Sequence, residues 1–237
     1  MDKSSLGQHI SKQFNNELEE IRSRVLTMGG MVEVQLSHAI ESLLHTNKDL
    51  AEQVVENDMK VNGMEVSIDE ECTTVLARRQ PAAGDLRLMI AVIKTITDLE
   101  RIGDEAKHIA RQALSVADEV QPLAAQLSAV EQLGNRVKDM LHRALDAFAR
   151  MDVELSIDVS RQDMGVDMEY EKVIRHQITY MMEDPRKIPT SLDVLWASRA
   201  LERVGDRCCN ICEYVIYLVE GKDVRHISID EMENQLR

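Results

Sequence analysis

Apolar residues return every three or four positions along almost the whole chain, and only a few short polar segments interrupt them. That periodicity is the strongest constraint on what the sequence can fold into, because each apolar stripe must be buried against another helix. Leu18, Ile21, Val25, Met28, Val32, Leu36, Ile40 and Leu43 lie in a first predicted helix from about Leu6 to Leu44. The polar segment 45–49, HTNKD, turns the chain into a second helix that runs to about Arg79. It carries Val54, Val61, Met64, Ile68, Val75 and Leu76. The stretch QPAAG at 80–84 breaks the pattern, and a third helix opens at Asp85 and continues to about Val116. Pro122 suits the first turn of a fourth helix, which reaches about Arg150. A fifth helix is expected over Glu154 to Glu183 and a sixth over Leu192 to Val219, with Gly221 as its stop. Between them DPRKIPTS, 184–191, holds two of the four prolines and is expected to be a turn. The polar tail after Gly221 is expected to be less ordered.

The helical pattern is written twice. Gly29, Val32, Leu36 and Ala39 of the first helix correspond to Gly134, Val137, Leu141 and Ala144 of the fourth at a constant shift. Asp58 and Val61 match Asp163 and Val166 at the same shift. LERIGD at 99–104 is repeated as LERVGD at 201–206, with the shift shortened slightly by the intervening loop. Three matches in the same order identify a duplicated three-helix unit. The expected fold is all-α, two tandem three-helix bundles related by a pseudo-twofold, with residues 1–118 in the first and 119–237 in the second. Thirty-residue helices of ~45 Å joined by short turns pack up-down-up at shallow angles.

Composition narrows the function classes. A net charge of −14 disfavours a general nucleic-acid binder, which needs a basic face for phosphates. No apolar run approaches the ~20 residues required to span a bilayer, and MDKSSLGQHI lacks the core of a secretory signal. Cys209 and Cys212 form a CxxC, but the motif lies within helical periodicity and lacks a second ligand pair. Buried thiols in a reducing, cytoplasmic setting are the expected reading of Cys72, Cys208, Cys209 and Cys212.

The repeated motif places Glu100 and Asp104 four residues apart on one helix face, and Glu202 and Asp206 likewise. Like charges at this spacing cost an isolated helix a few tenths of a kcal/mol, and Gly103 and Gly205 cost about 1 kcal/mol each relative to alanine. The preceding helices carry Asp163 and Asp167 in the second unit, and Asp58 and Asn62 in the first. Facing pairs would gather four carboxylates in one unit, and three with an amide in the other. Such oxygen clusters suit Mg²⁺, Ca²⁺, Mn²⁺, Fe or Zn²⁺. The competing reading is a solvated acidic face neutralised by Arg101, Arg199, Arg203 and Arg207. The paired Glu-x-x-His motifs of di-iron carboxylate enzymes are missing, since the one copy, Glu105 to His108, has no counterpart in the second unit, and no nucleophile or Gly-rich phosphate loop stands out. A metal-dependent hydrolase or oxidase on a helical bundle is therefore the alternative, and a non-enzymatic metal binder the leading expectation.

The doubled LER-x-GD, the RRQPAAGDLR turn at 78–87 and the D-x-x-V-N of Asp58 to Asn62 resemble the PhoU family over essentially the whole chain. The resemblance implies a cytoplasmic negative regulator of the phosphate-starvation response and modulator of phosphate uptake. Its partners would be the ATPase subunit of the Pst transporter, a PhoR-type sensor histidine kinase and a second copy of itself. It also implies a metal ion (Mg, Mn, Fe or Zn) at the family's E/D-xxx-D motifs. These map onto Glu100/Asp104, Glu202/Asp206 and Asp163/Asp167. Asn62 departs from the pattern, so LERVGD is the better expected metal site. Asp85 and Arg87, with Arg101 and Arg203, are candidate partner contacts, while locally Asp85 is expected to cap the third helix. With no anion-binding loop in view, phosphate is expected to be sensed by the transporter, or through a metal among the acids.

Overall fold

The structure, a computed structural model, describes residues 12–117 and 124–236. It consists of α1 (Lys12–Leu44), α2 (Lys48–Arg79), α3 (Ala83–Val116), α4 (Ala124–Arg150), α5 (Val153–Glu183), α6 (Ile188–Glu220) and α7 (Ile229–Leu236). No strand occurs among the described residues. The expected start of the first helix at Leu6, Pro122 and the proposed boundary at 118/119 lie outside them.

The duplication is visible in the turns. Asn47 caps α2 by accepting a hydrogen bond from Leu50 N at 3.1 Å, and Asp152 caps α5 by accepting one from Leu155 N at 3.0 Å. Thr46 and Met151, just before the caps, both adopt left-handed backbone, with φ of 51° and 53°. In each turn the cap's own N–H returns to the preceding helix, Asn47 to Ser42 and Asp152 to Ala147, both at 2.9 Å. Connections this short force antiparallel hairpins.

Each unit packs its three helices on one another. Across the units the main contacts are α3 on α6, the most extensive in the molecule, and α1 on α4. Both are pairs of equivalent helices, as a pseudo-twofold requires. The α1–α4 crossing shows it at atomic scale. A Cβ added at Gly29 would lie 2.6 Å from Leu145 Cδ2, and one at Gly134 would lie 3.0 Å from Ile40 Cγ2. The two glycines are symmetry mates and so are the two aliphatic side chains that fill their notches. One continuous apolar core, from Phe14 to Leu218, runs through both units. α2 and α5 take the outer positions.

Three expectations about boundaries are corrected. The third helix starts at Ala83, so its N-cap is Ala82 without a side-chain bond; Asp85 is buried in the first turn and acts there on the helix dipole instead of as the cap. The segment 184–191 is mostly helical. Pro185 opens a 3₁₀ turn capped by Asp184, and Pro189 lies in the first turn of α6, where a missing N–H costs nothing. Gly221 does stop α6, with φ of 71°. The tail is not merely polar, since Ser228 and Glu231 form a reciprocal capping box that starts α7. Met232 of α7 and Val224 then bury against Ile216, forming a small second core.

Candidate functional site

Arg199 stacks over Tyr170 and Lys187 over Tyr180, which fixes the register of antiparallel α5 and α6. The same register sets Asp163 beside Gly205. A Cβ on Gly205 would lie only 3.2 Å from Asp163 Oδ1 and 3.2 Å from Val166 Cγ1. The glycine of LERVGD thus lets α5 approach closely enough to bring its carboxylates to those of α6. Asp163, Asp167, Glu202 and Asp206 form one acidic group, as the sequence predicts.

Their electrostatics show the crowding. Partial burial, then the charges of Asp167, Asp206 and Glu202, push Asp163 up to about 6. Burial and Asp206 raise Glu202, and burial and Asp167 raise Asp206. Of the four arginines expected to neutralise the acids, Arg199 alone makes a direct pair, at 2.6 Å to Glu202 Oε1. Arg203 bonds Glu105 at 3.1 Å, and Arg207 is directed at Asp98 at 3.5 Å. Glu202 Oε2 is buried without a hydrogen-bond partner. Among the described residues no three His, Cys, Asp or Glu side chains converge as a ready metal cage. The donor set, the mutual repulsion and the orphaned Glu202 oxygen nevertheless fit a cation that would draw these carboxylates together.

The first unit uses the same frame differently. Asp58 is buried beneath Gly103, accepts 2.6 Å from Lys107 Nζ and 3.1 Å from Gln35 Nε2, and Lys107 also reaches Asp104 at 3.7 Å. An ammonium group already stands among these acids. Glu100 is raised, by burial first and then by Asp104, Glu65 and Asp58. Asn62 Oδ1 is buried without a partner. The positions equivalent to Lys107 and Gln35 in the second unit are Cys209 and Met140, neither of which supplies a cation or a strong donor. The residues of the first cluster therefore do not fit a metal ion, and Lys107 and Gln35 were not singled out from sequence. Comparing the two units position by position beyond the motifs would have found them.

The remaining candidates are placed as follows. Arg87 donates from Nε to the Leu218 carbonyl at 3.4 Å, tying the start of α3 to the end of α6. Arg101 is exposed beside Glu100, and Arg203 bridges α6 to α3 through Glu105. All four cysteines are free thiols. Burial raises Cys72 to about 12 and Cys208, Cys209 and Cys212 further, so none is poised as a thiolate.

The two helices that carry the acidic group also carry exposed apolar side chains. Ile188, Leu192 and Trp196 recur every four residues on α6, and Ile178 and Met182 are exposed on α5. Trp196, the single tryptophan, is 52% exposed. No helix is long and apolar enough to cross a membrane among the described residues.

Comparison with known proteins places the chain. The PhoU domain model matches it twice, over residues 25–113 and 130–215. The phosphate-specific transport system accessory protein PhoU of Escherichia coli K12 is 52% identical over all 237 residues, covering 97% of that relative. The crystal structure of PhoU from Pseudomonas aeruginosa superposes with a TM-score of 0.83 at 49% identity. It covers 88% of this chain and 100% of that one. The phosphate transport system regulatory protein PhoU from Streptococcus pneumoniae gives 0.82 at 31% identity, covering 89% and 99%.

Proposed function

The chain belongs to the PhoU family, and on that footing we propose that it is a non-enzymatic accessory regulator of phosphate transport. It acts in the cytoplasm as an adaptor, holding a PhoR-type sensor kinase silent when the Pst transporter is replete. It engages the transporter through the ATPase subunit and works as a homodimer. Signal passes by population shift, since a partner that binds one state of the adaptor better biases what the other partner meets.

The observation that carries the adaptor reading is the exposure of Ile188, Leu192 and Trp196 at four-residue spacing on α6, with Ile178 and Met182 exposed on α5, on the two helices that carry the acidic group. An aromatic anchor within aliphatic surface and a charged rim are the ingredients of a protein-binding hot spot. Capture of the purified ATPase subunit and kinase by the wild-type chain and by a Leu192→Ser/Trp196→Ser variant tests it. The expected result is capture of both by wild type, with at least one weakened about tenfold or more in the variant. Capture of neither partner by wild type would refute the adaptor role.

The second acidic group is proposed as the metal site, held by Glu202, Asp206, Asp163 and Asp167 with Mg, Mn, Fe or Zn as candidate ions. When bound, the ion would supply positive charge that offsets the four carboxylates. Glu202 would contribute its orphaned Oε2.

A further inference from the structure

The α3–α6 seam has two edges, related by the pseudo-twofold, and they have diverged. On one edge Asp98 is buried and accepts from Tyr214 Oη at 2.8 Å and Asn210 Nδ2 at 3.3 Å, with Arg207 at 3.5 Å. Beside it a cavity of about 140 Å³ is lined by Lys94 of α3, by Glu213, Tyr214 and Tyr217 of α6, and by Asp223 and Arg225 beyond it. At ~30 Å³ per water, that space holds four or five waters or one small oxyanion. On the opposite edge the equivalent positions are Trp196, Arg111, Gln112 and Ser115. The chemistry of the first edge is therefore not imposed by the shared frame.

The charges facing the cavity are partly spoken for. Asp223 and Arg225 form a two-bond pair at 2.8 and 2.6 Å. Asp98 is held by its three donors. Lys94 stands 5.4 Å from the Tyr214 ring centre and 6.0 Å from that of Tyr217, with no carboxylate within ion-pair distance among the described residues. The Tyr217 hydroxyl is uncommitted among the described residues. Glu213 is half-buried, and burial raises it to about 7 despite Arg225 and Lys94 and in concert with Asp223 and Asp98. The cavity thus offers an ammonium and a hydroxyl that can donate, next to a carboxyl group that becomes an acceptor once ionised.

We infer that this cavity binds a small oxyanion that carries its own proton, the class to which hydrogen phosphate belongs. Lys94 Nζ and the Tyr217 hydroxyl donate to the anion's oxygens, and the anion's O–H donates to the Glu213 carboxylate. Hydrogen phosphate and sulfate carry the same two charges, but only hydrogen phosphate has a proton to give to an ionised Glu213, so the site discriminates between two anions of equal size and shape. The inference goes beyond the adaptor reading and does not rest on it, because it makes no reference to either partner.

Calorimetric titration of the chelator-treated, full-length chain with inorganic phosphate and with sulfate at pH 8, where Glu213 is ionised, tests it, and removing metal eliminates anion held by the acidic group. Saturable phosphate binding is expected, at least about tenfold tighter than sulfate, and unchanged by Glu202→Gln/Asp206→Asn. Lys94→Met should weaken phosphate about tenfold, and Glu213→Gln should bring sulfate and phosphate within a few-fold of each other. Tyr217→Phe keeps the ring and the fold and should weaken phosphate a few-fold, which decides the matter if Lys94→Met does not fold. No saturable phosphate binding to wild type would overturn the inference. So would equal affinity for sulfate, or Tyr217→Phe and a folded Lys94→Met that both bind like wild type.

Discussion

Single residues carry the difference between the two acidic groups. Asp163, raised to about 6 from 3.8, holds its proton more tightly in the folded chain than in the unfolded one. Its ionisation therefore costs stability as pH rises from about 4 through 6, and the cost is fully present above 6. Discounted for partial exposure, it is about 1–2 kcal/mol. In metal-free protein Asp163→Asn should be more stable than wild type by that amount at pH 8, with the gain gone at pH 4. Urea denaturation at the two pH values reads it directly, and a variant no more stable at pH 8 would mean that neither burial nor the neighbouring acids disfavour the Asp163 charge. In the first unit the sign reverses. Lys107→Met leaves Asp58 buried without its cation and should destabilise by about 3–5 kcal/mol, read as a lower denaturation midpoint. The carboxylates of both groups were legible from i,i+4 spacing. Lys107 and Gln35 were not, because their meaning depends on how α1, α2 and α3 meet around Asp58.

At the scale of elements, the glycines of LERIGD and LERVGD have different reasons to be there. Alanine at Gly205 would press Asp163 and Val166 at 3.2 Å, whereas at Gly103 its nearest neighbour, Val61, is an ordinary 3.4 Å away. Gly103→Ala should therefore realise the helix-propensity gain of about 0.5–1 kcal/mol, and Gly205→Ala should gain less or lose stability. Thermal melts of the two variants compare them, and equal shifts would show that the α5–α6 approach is not tighter than α2–α3. The six long helices were readable because their apolar stripes are long and their breaks carry Pro, Gly or capping residues. Two ends were misread for local reasons. Pro189 looked like a breaker but occupies a first turn, and the S-x-x-E of α7 was overlooked in a polar tail.

The whole molecule is a duplicated frame whose halves have taken different residues at equivalent places. The turns, the Gly29–Leu145 and Gly134–Ile40 notches and the acidic motifs repeat. Lys107 against Cys209, Gln35 against Met140 and Lys94 against Trp196 do not. The duplication was plain in the sequence, but the seam cavity was not, since Lys94 and Glu213 lie on helices from different units. Trp196, as the single tryptophan, gives a direct readout of docking on the exposed apolar residues of α6, and its emission should shift to the blue when a partner covers it. Unchanged emission on adding a partner that binds would place the interface elsewhere. On the proposed function one unit binds metal and its twin does not. Equilibrium dialysis against Mn²⁺ or Zn²⁺, with metal per chain measured for wild type and for each unit's double variant, tests it most directly. The account predicts that binding is lost in Glu202→Gln/Asp206→Asn and retained in Glu100→Gln/Asp104→Asn. Equal loss in both variants, or loss only in the second, would contradict it.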